Sequence, residues 1–284
     1  MKLAAPSPRS RRVAVVAALV ALAGLAPAGA VDGVIEINLA RALAGGVTAG
    51  DAPGFPVVID RPGSYRLTGN LDVTDAPAPQ NVTAIAITAS FVTLDLNGFT
   101  LIGPTECTGS PVADCAPLGS GSGIQSSSSN LVRISNGVIL GFGAYGILAG
   151  NATVDRVQAF SNGAGGISLG AGGAVTRSAG IGNGGHGISG AGILVDACRA
   201  AENHQVGIYA LPGAVRNSEA VRNGSFGIYV GFGVALQSVA RDNGDSCAFY
   251  ALNGGYAGDY ADGSSTLCGG VQLGANLCNG AVCP

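Results

Sequence analysis

The chain has 284 residues, 48 of them Gly and 7 Cys, with no Trp, 11% charged side chains and a mean hydropathy of +0.41. Such a chain is too apolar and too weakly charged to stay disordered, and its glycines lack the every-third-residue period of collagen. Lys2 is the only lysine in the sequence, so a mature protein without its first residues has no lysine to serve as base, Schiff base or phosphate clamp.

Residues 1–30 read as a signal peptide: a basic start (Lys2, Arg9, Arg11, Arg12), an apolar run over 13–25, and Ala28-Gly29-Ala30 as the cleavage motif. No later stretch reaches the roughly 20 apolar residues of a membrane span, so the mature chain is expected to be secreted, extracellular or periplasmic, without a transmembrane anchor. Cleavage removes four cations and no acid, leaving ten against seventeen and a net charge of −7. That balance disfavours nucleic acid as a partner, because phosphate binding needs clustered Lys and Arg. Anionic polysaccharide is disfavoured by the same argument unless a local Arg cluster overrides it.

In chain order, the mature domain (31–284) opens with residues 37–44, a short helix candidate that would cap an open sheet edge. Residues 55–59, 63–67, 84–87 and 92–98 then alternate apolar and polar positions as short strands between turns. Cys107 and Cys115 bracket a Pro/Gly/Ser loop, Cys247 and Cys268 another, and Cys278 and Cys283 stand five apart. Three local disulfides are therefore expected, as suits an oxidising compartment, with Cys198 left free.

The clearest signal lies between residues 123 and 246. A Gly-Ile step recurs at Ile124, Ile147, Ile167, Ile188, Ile208 and Ile228, with spacings of 23, 20, 21, 20 and 20. Asn162, Asn183, Asn203, Asn223 and Asn243 keep the same beat, and four of the five precede Gly. Counting back from each Asn gives inner positions filled by Val154, Val175, Val195, Val215 and Ala235, by Val157, Ser178, Cys198, Ser218 and Ser238, and by Ala159, Gly180, Ala200, Ala220 and Ala240. Small and β-branched residues on short Gly-broken segments describe strands, and a unit of this length has no room for a helical hairpin.

The expected fold is all-β: a single right-handed parallel β-helix of about 20-residue coils stacked at roughly 4.8 Å, with a short N-terminal helical cap and a disulfide-pinned end over 247–284. The five asparagines would form a structural ladder, each amide bonding the coils above and below. On the Asn-Gly and Gly-Ile repeats, the chain resembles the right-handed parallel β-helix superfamily that includes pectate lyases and polygalacturonases. The resemblance is specific for fold and poor for function.

Gly185-His186-Gly187 looks like the Gly-His-Gly segment of polygalacturonases, which implies a hydrolase using paired aspartates. One coil upstream stand Gly165-Gly166-Ile167, without a carboxylate, so a turn with His in a variable slot (Tyr145, Gly165, Val206, Phe226) is the plainer reading. His204 replaces Gly after Asn203, where left-handed backbone geometry is expected. The two histidines, 18 residues apart, have neither cysteines nor clustered carboxylates beside them, so no zinc or other cofactor is expected. In pectate lyases Arg or Lys abstracts the proton; here Arg177, Arg199, Arg216, Arg222 and Arg241 are the candidates, but Arg222 shares a slot with Glu202 and Asp242 in successive coils, and Arg199 with Glu219, which suggests surface ion pairs. Asp242, Asp245, Asp259 and Asp262 could hold calcium or simply form an acidic loop.

One residue after each repeat Ile come Leu148, Ser168, Ser189, Tyr209, Tyr229 and Phe249. The last three are expected to form an exposed aromatic column bordered by Phe226, a carbohydrate-binding platform. The alternative is a shielding stack, covered by residues 253–263 folding back. Exposure would make the Tyr209 and Tyr229 double Ala variant cost under about 1 kcal/mol. Cys198 should be a buried thiol. Three functions follow: a non-catalytic poly- or oligosaccharide-binding or surface-interaction protein, a polysaccharide lyase or epimerase acting on a uronate polymer with Tyr209, Tyr229, His186 and His204 as acid and base, or a structural or adhesive rod.

Overall fold

A computed structural model describes residues 33–126, 131–244, 247–262 and 266–283. The signal-peptide segment 1–30, and Asp245 of the acidic set, lie outside the described residues.

One repeat shows how the coil forms. Ile188–Gly190, Ile193–Asp196 and Arg199–Ala201 are three short strands. They are short because left-handed residues interrupt them: Gly192 between the first pair, Ala197 between the second, and Glu202 before the next coil. Each strand pairs in parallel with its counterpart one coil on, Ile188 with Ile208, Val195 with Val215 and Ala200 with Ala220. Repeated along the chain, this register builds three parallel sheets around a common core, a right-handed parallel β-helix. The sheets are named here first (Gly-Ile strands), second and third in coil order.

The core is made of columns. Ile167, Ile188, Ile208 and Ile228 fill one, and Val154, Val175, Val195 and Val215 the next, all 0–1% exposed. Each fully buried Ile or Val contributes about 1.5–3 kcal/mol relative to exposure, so the repeat itself is the main stabilising term. In the third column Ala159, Ala200, Ala220 and Ala240 are completely buried.

Two hydrogen-bonded side-chain columns run inside the stack. In the first, the Asn183 backbone N–H and side-chain amide donate to Asn203 Oδ1 at 3.0 and 2.9 Å, while Asn203 donates likewise to Asn223 Oδ1 at 3.1 and 2.9 Å. Asn162 and Asn243 continue the column at its two ends. Each amide thereby satisfies turn donors that burial would otherwise leave unpaired. The second column sits at the corner between the second and third sheets. Ser218 Oγ accepts from Cys198 N at 3.2 Å and donates to Arg216 O at 2.7 Å, and Ser238 Oγ accepts from Ser218 N at 3.3 Å. Cys198 occupies a serine position here, its Sγ 3.2 Å from Asp196 O, and burial pushes the thiol up to about 11.

At the N-terminus the helix is shorter than the sequence suggests. Ile35–Ile37 is a strand pairing with Gly63–Leu67, and α1 spans Leu39–Ala44. Asn38 separates the two: its backbone is extended, and its Oδ1 accepts from Arg41 N at 3.0 Å as the helix N-cap. Ala42 is buried against the first coils, so α1 covers the core there. The three disulfides are Cys107–Cys115, Cys247–Cys268 and Cys278–Cys283, and Cys198 is free and buried. Among the described residues no helix is long and apolar enough to cross a membrane.

Candidate functional site

The first sheet carries an aromatic row. Strand alternation turns Ile188, Ile208 and Ile228 inward and the following residues Ser189, Tyr209 and Tyr229 outward. Tyr209 and Tyr229 stack with centroids 4.9 Å apart and planes 22° from parallel, a spacing set by the coil rise. The next ring in the row is Tyr250, not Phe249. Tyr250 stacks on Tyr229 at 5.0 Å, whereas Phe249 pairs with Ile228 and is wholly buried. One extra residue between Asn243 and the inward position explains this correction. Five residues separate Asn223 from Ile228, but six separate Asn243 from Phe249. Seating Phe rather than Ala248 in the Ile column fills the core with the larger apolar side chain.

Two more rings join the row. Phe226 leans on Tyr229 and Tyr250 at 5.9 and 5.2 Å, and His186 stacks on Tyr209 at 5.1 Å with planes 11° apart. His186 and Phe226 use the same diagonal, from two residues before one inward Ile to the outward ring of the next coil. Desolvation lowers the His186 imidazole below the usual histidine range, and burial, with neighbouring Tyr209 and Tyr250, raises Tyr229. Tyr209, Tyr229, Tyr250 and Phe226 are half-buried rather than exposed. Each ring hides its neighbour's faces, so the row presents edges and phenolic oxygens to solvent. Residues 253–257 belong to the strand Cys247–Ala257 and continue the coil, so they do not fold back over the row.

The remaining candidates fall elsewhere. His204 is not left-handed; that geometry belongs to Glu202, the residue before the Asn, as it does to Ser161, Arg222 and Asp242. At position 184, after Asn183, Gly is needed for a different reason. A Cβ on Gly184 would lie 2.1 Å from Gly163 O and 2.9 Å from Cys115 Sγ. The Cys107–Cys115 hairpin (Glu106–Gly109 and Val112–Ala116) crosses the outer side of these turns. His204 latches its tip, with Nδ1 2.8 Å from Val112 O, while Val112 N donates to Glu202 O at 2.9 Å. His186 and His204 thus serve different columns, one in the aromatic row and one under the hairpin.

All five candidate arginines are engaged with carboxylates. Arg177 binds Asp155 at 2.6 Å, Arg199 binds Glu219 at 3.1 Å and Arg216 binds Asp196 at 3.1 Å; Arg222 pairs with Glu202 and Arg241 with Glu219. The acidic set is dispersed. Asp259 is buried and accepts from Ser238 N and Ala257 N, and among the described residues no group of three or more metal-ligating side chains comes together.

No protein-family model matches the sequence, and no curated protein matches it either. Among solved structures, the A-module of an Azotobacter vinelandii mannuronan C-5 epimerase is similar at 13% identity and TM-score 0.48, covering 76% of this chain and 88% of that one. The Dettilon tailspike protein is similar at 12% identity and TM-score 0.47, covering 78% of this chain and 59% of that one. A periplasmic alginate epimerase is similar at 11% identity and TM-score 0.41, covering 78% and 76%. With TM-scores below 0.5, these likenesses carry nothing about what this chain binds or does.

Proposed function

We propose that the protein is a non-catalytic, exported β-helix that binds an extended poly- or oligosaccharide along the aromatic row of its first sheet. The observation that carries this reading is the line of Tyr209, Tyr229 and Tyr250, stacked 4.9 and 5.0 Å apart with half-buried rings. Their mutual stacking alters the expected mode of contact. The inner ring faces are occupied, so a sugar chain would be held by phenolic hydroxyls and ring edges, its hydroxyls exchanging hydrogen bonds with a row of donors at coil spacing. Three disulfides suit the oxidising compartment that an exported protein reaches.

The lyase or epimerase reading has less support. Each arginine that could act as base is held by a carboxylate, and His204 is spent on the hairpin. The rod reading differs from ours only in lacking a ligand. An oligosaccharide array screen separates them. We expect binding to at least one glycan class, and a loss of at least about tenfold, or 1.4 kcal/mol, when Tyr209, Tyr229 and Tyr250 are all changed to Phe. That variant keeps the stack and removes only the hydroxyls. An array without hits would leave the rod reading ahead, and unaltered binding by the triple Phe variant would overturn the assignment of the ligand to the tyrosine hydroxyls.

A further inference from the structure

The two ends of the coil stack are finished differently. At the N-terminal end the outer edge of the strand Val57–Ile59 is closed by side chains: Asp51 Oδ1 accepts from Val58 N at 2.7 Å, and Thr48 Oγ1 donates to Val58 O at 2.7 Å. On the strand Ile35–Ile37, Arg41 of α1 donates to Glu36 O at 3.0 Å. Under this cover Ile37, Val57 and Ile59, the first members of the core, are completely buried. An edge closed in this way offers no template for another chain.

The last described coil has no such cover. Among the described residues, the strand Thr266–Gln272 pairs with Cys247–Ala257 and with no strand beyond it. The chain turns back at Asn279-Gly280, so Leu277–Cys278 and Ala281–Val282 finish the third sheet alone. The inward column of the first sheet is therefore left open: Ile208, Ile228 and Phe249 are completely buried, but Leu267, which pairs with Phe249 as the last member, is not. A cavity of about 230 Å³ opens at this point, lined by Leu267 with Tyr256, Gly270, Gln272, Cys278 and Cys283. Next to these lining residues in the chain stand Val271, Leu273, Leu277 and Val282, which are 62, 60, 41 and 70% exposed. Residues 263–284 contain no Asp, Glu, Lys, Arg or His. Solenoid ends ordinarily carry a polar cap and edge strands a charged side chain, and this end has an aliphatic rim in their place.

We propose that this coil is a self-association surface, on which a second copy of the chain stacks end to end about a two-fold axis. Charge and symmetry select that occupant. Acids outnumber Lys and Arg by seventeen to fourteen in the chain, so copies repel when they approach through their charged faces. At the uncharged end two copies meet without like charges between them, and each offers the other the same aliphatic rim, as an isologous contact requires. A charged partner finds no counter-charge there. Because the N-terminal end is sealed, head-to-tail stacking is blocked and the assembly closes at two chains.

Sedimentation velocity of the full chain over a range of concentrations tests the assignment. We expect a monomer–dimer equilibrium with a Kd below about 100 μM, not weakened by added salt because no ion pair holds it. Val271→Glu with Leu273→Glu should weaken pairing at least about tenfold, as should Val271→Lys with Leu273→Lys. An equimolar mixture of these two double variants should pair again, which misfolded chains would not do. Leu43→Glu, on the exposed side of α1, should leave the dimer unchanged. A monomer throughout the range to about 100 μM, full dimerisation of the double Glu variant, or no recovery in the mixture would each overturn the inference. So would assemblies that grow beyond two chains, or loss of the dimer in Leu43→Glu, either of which would bring the N-terminal end into the contact.

Discussion

Between Asn162 and Asn243 each coil hands its buried turn donors to the next through a side-chain amide, whereas from Cys247 onward the same stacking is held by different chemistry. Strand pairing there shifts register between Cys247 and Phe249 and again between Ala251 and Gly255. Cys247–Cys268 ties two successive coils, and Cys278–Cys283 closes the terminal antiparallel hairpin. The serine column also changes identity: after Ser238 the acceptor is Asp259 Oδ1 at 2.8 Å, followed by Asn276 Oδ1, which accepts from Asp259 N at 3.0 Å. A coil in strict repeat is stabilised by identity with its neighbours. One that departs from the repeat needs covalent links and a charged group in place of a hydroxyl.

The largest test of that contrast is Asn203→Ala. It removes the acceptor of two Asn183 donors and the donor to Gly180 O. With each stranded buried group costing about 1–3 kcal/mol, the loss on denaturant unfolding should reach about 4 kcal/mol. A loss below about 1 kcal/mol would mean that burial of the Ile and Val columns alone holds the repeat.

Next comes the covalent end. Replacing Cys247 and Cys268 with Ser opens a loop of 21 residues, for which loss of chain constraint predicts about 3 kcal/mol. The effect should be local: amide exchange should rise over 247–283 and stay unchanged over 162–243. Uniform acceleration along the whole chain would show that the two regions unfold as one unit.

The smallest effect concerns Asp259. Desolvation raises its carboxyl to about 6, despite the N–H groups of Ser238 and Ala257 that favour the anion. The folded state therefore holds the proton more tightly than the unfolded chain, where the ordinary value near 3.8 applies. Stability from this group is full below about pH 4 and is lost as pH rises toward 6, by no more than about 3 kcal/mol. Urea midpoints should fall over that interval in the wild type, and Asp259→Asn should flatten the profile. An unchanged slope in the variant would assign the dependence to other groups.

The fold was legible because the repeat writes the same instruction several times. Gly-Ile and Asn-Gly mark both the inward column and the turn, so a single register accounts for Val154 through Ala235 and for the five asparagines. Tyr250 was not legible for the converse reason. The beat lengthens by one residue after Asn243, and counting at constant pitch puts Phe249 outside. Comparing the two side chains competing for the Ile column, Ala248 and Phe249, would have signalled the slip. The hairpin latch at His204 depends on a contact across 92 residues and leaves no local pattern.

The buried asparagine column also governs how the protein ages. Asn-Gly is the dipeptide most prone to deamidation, because the glycine nitrogen can fold back on the side-chain carbonyl and close a succinimide ring. In this stack the asparagine side chain is fixed by the neighbouring coil, and the glycine N–H is engaged too, Gly184 with Asn162 O and Gly244 with Asn223 O, both within 2.8 Å. Ring closure there would require the coils to part. Asn97, Asn253 and Asn279, each also followed by Gly, are by contrast exposed, and Asn279-Gly280 is the turn between the last two strands. Four Asn-Gly dipeptides of the ladder are thus sheltered by the architecture they build, and chemical wear is directed to the exposed ones outside it.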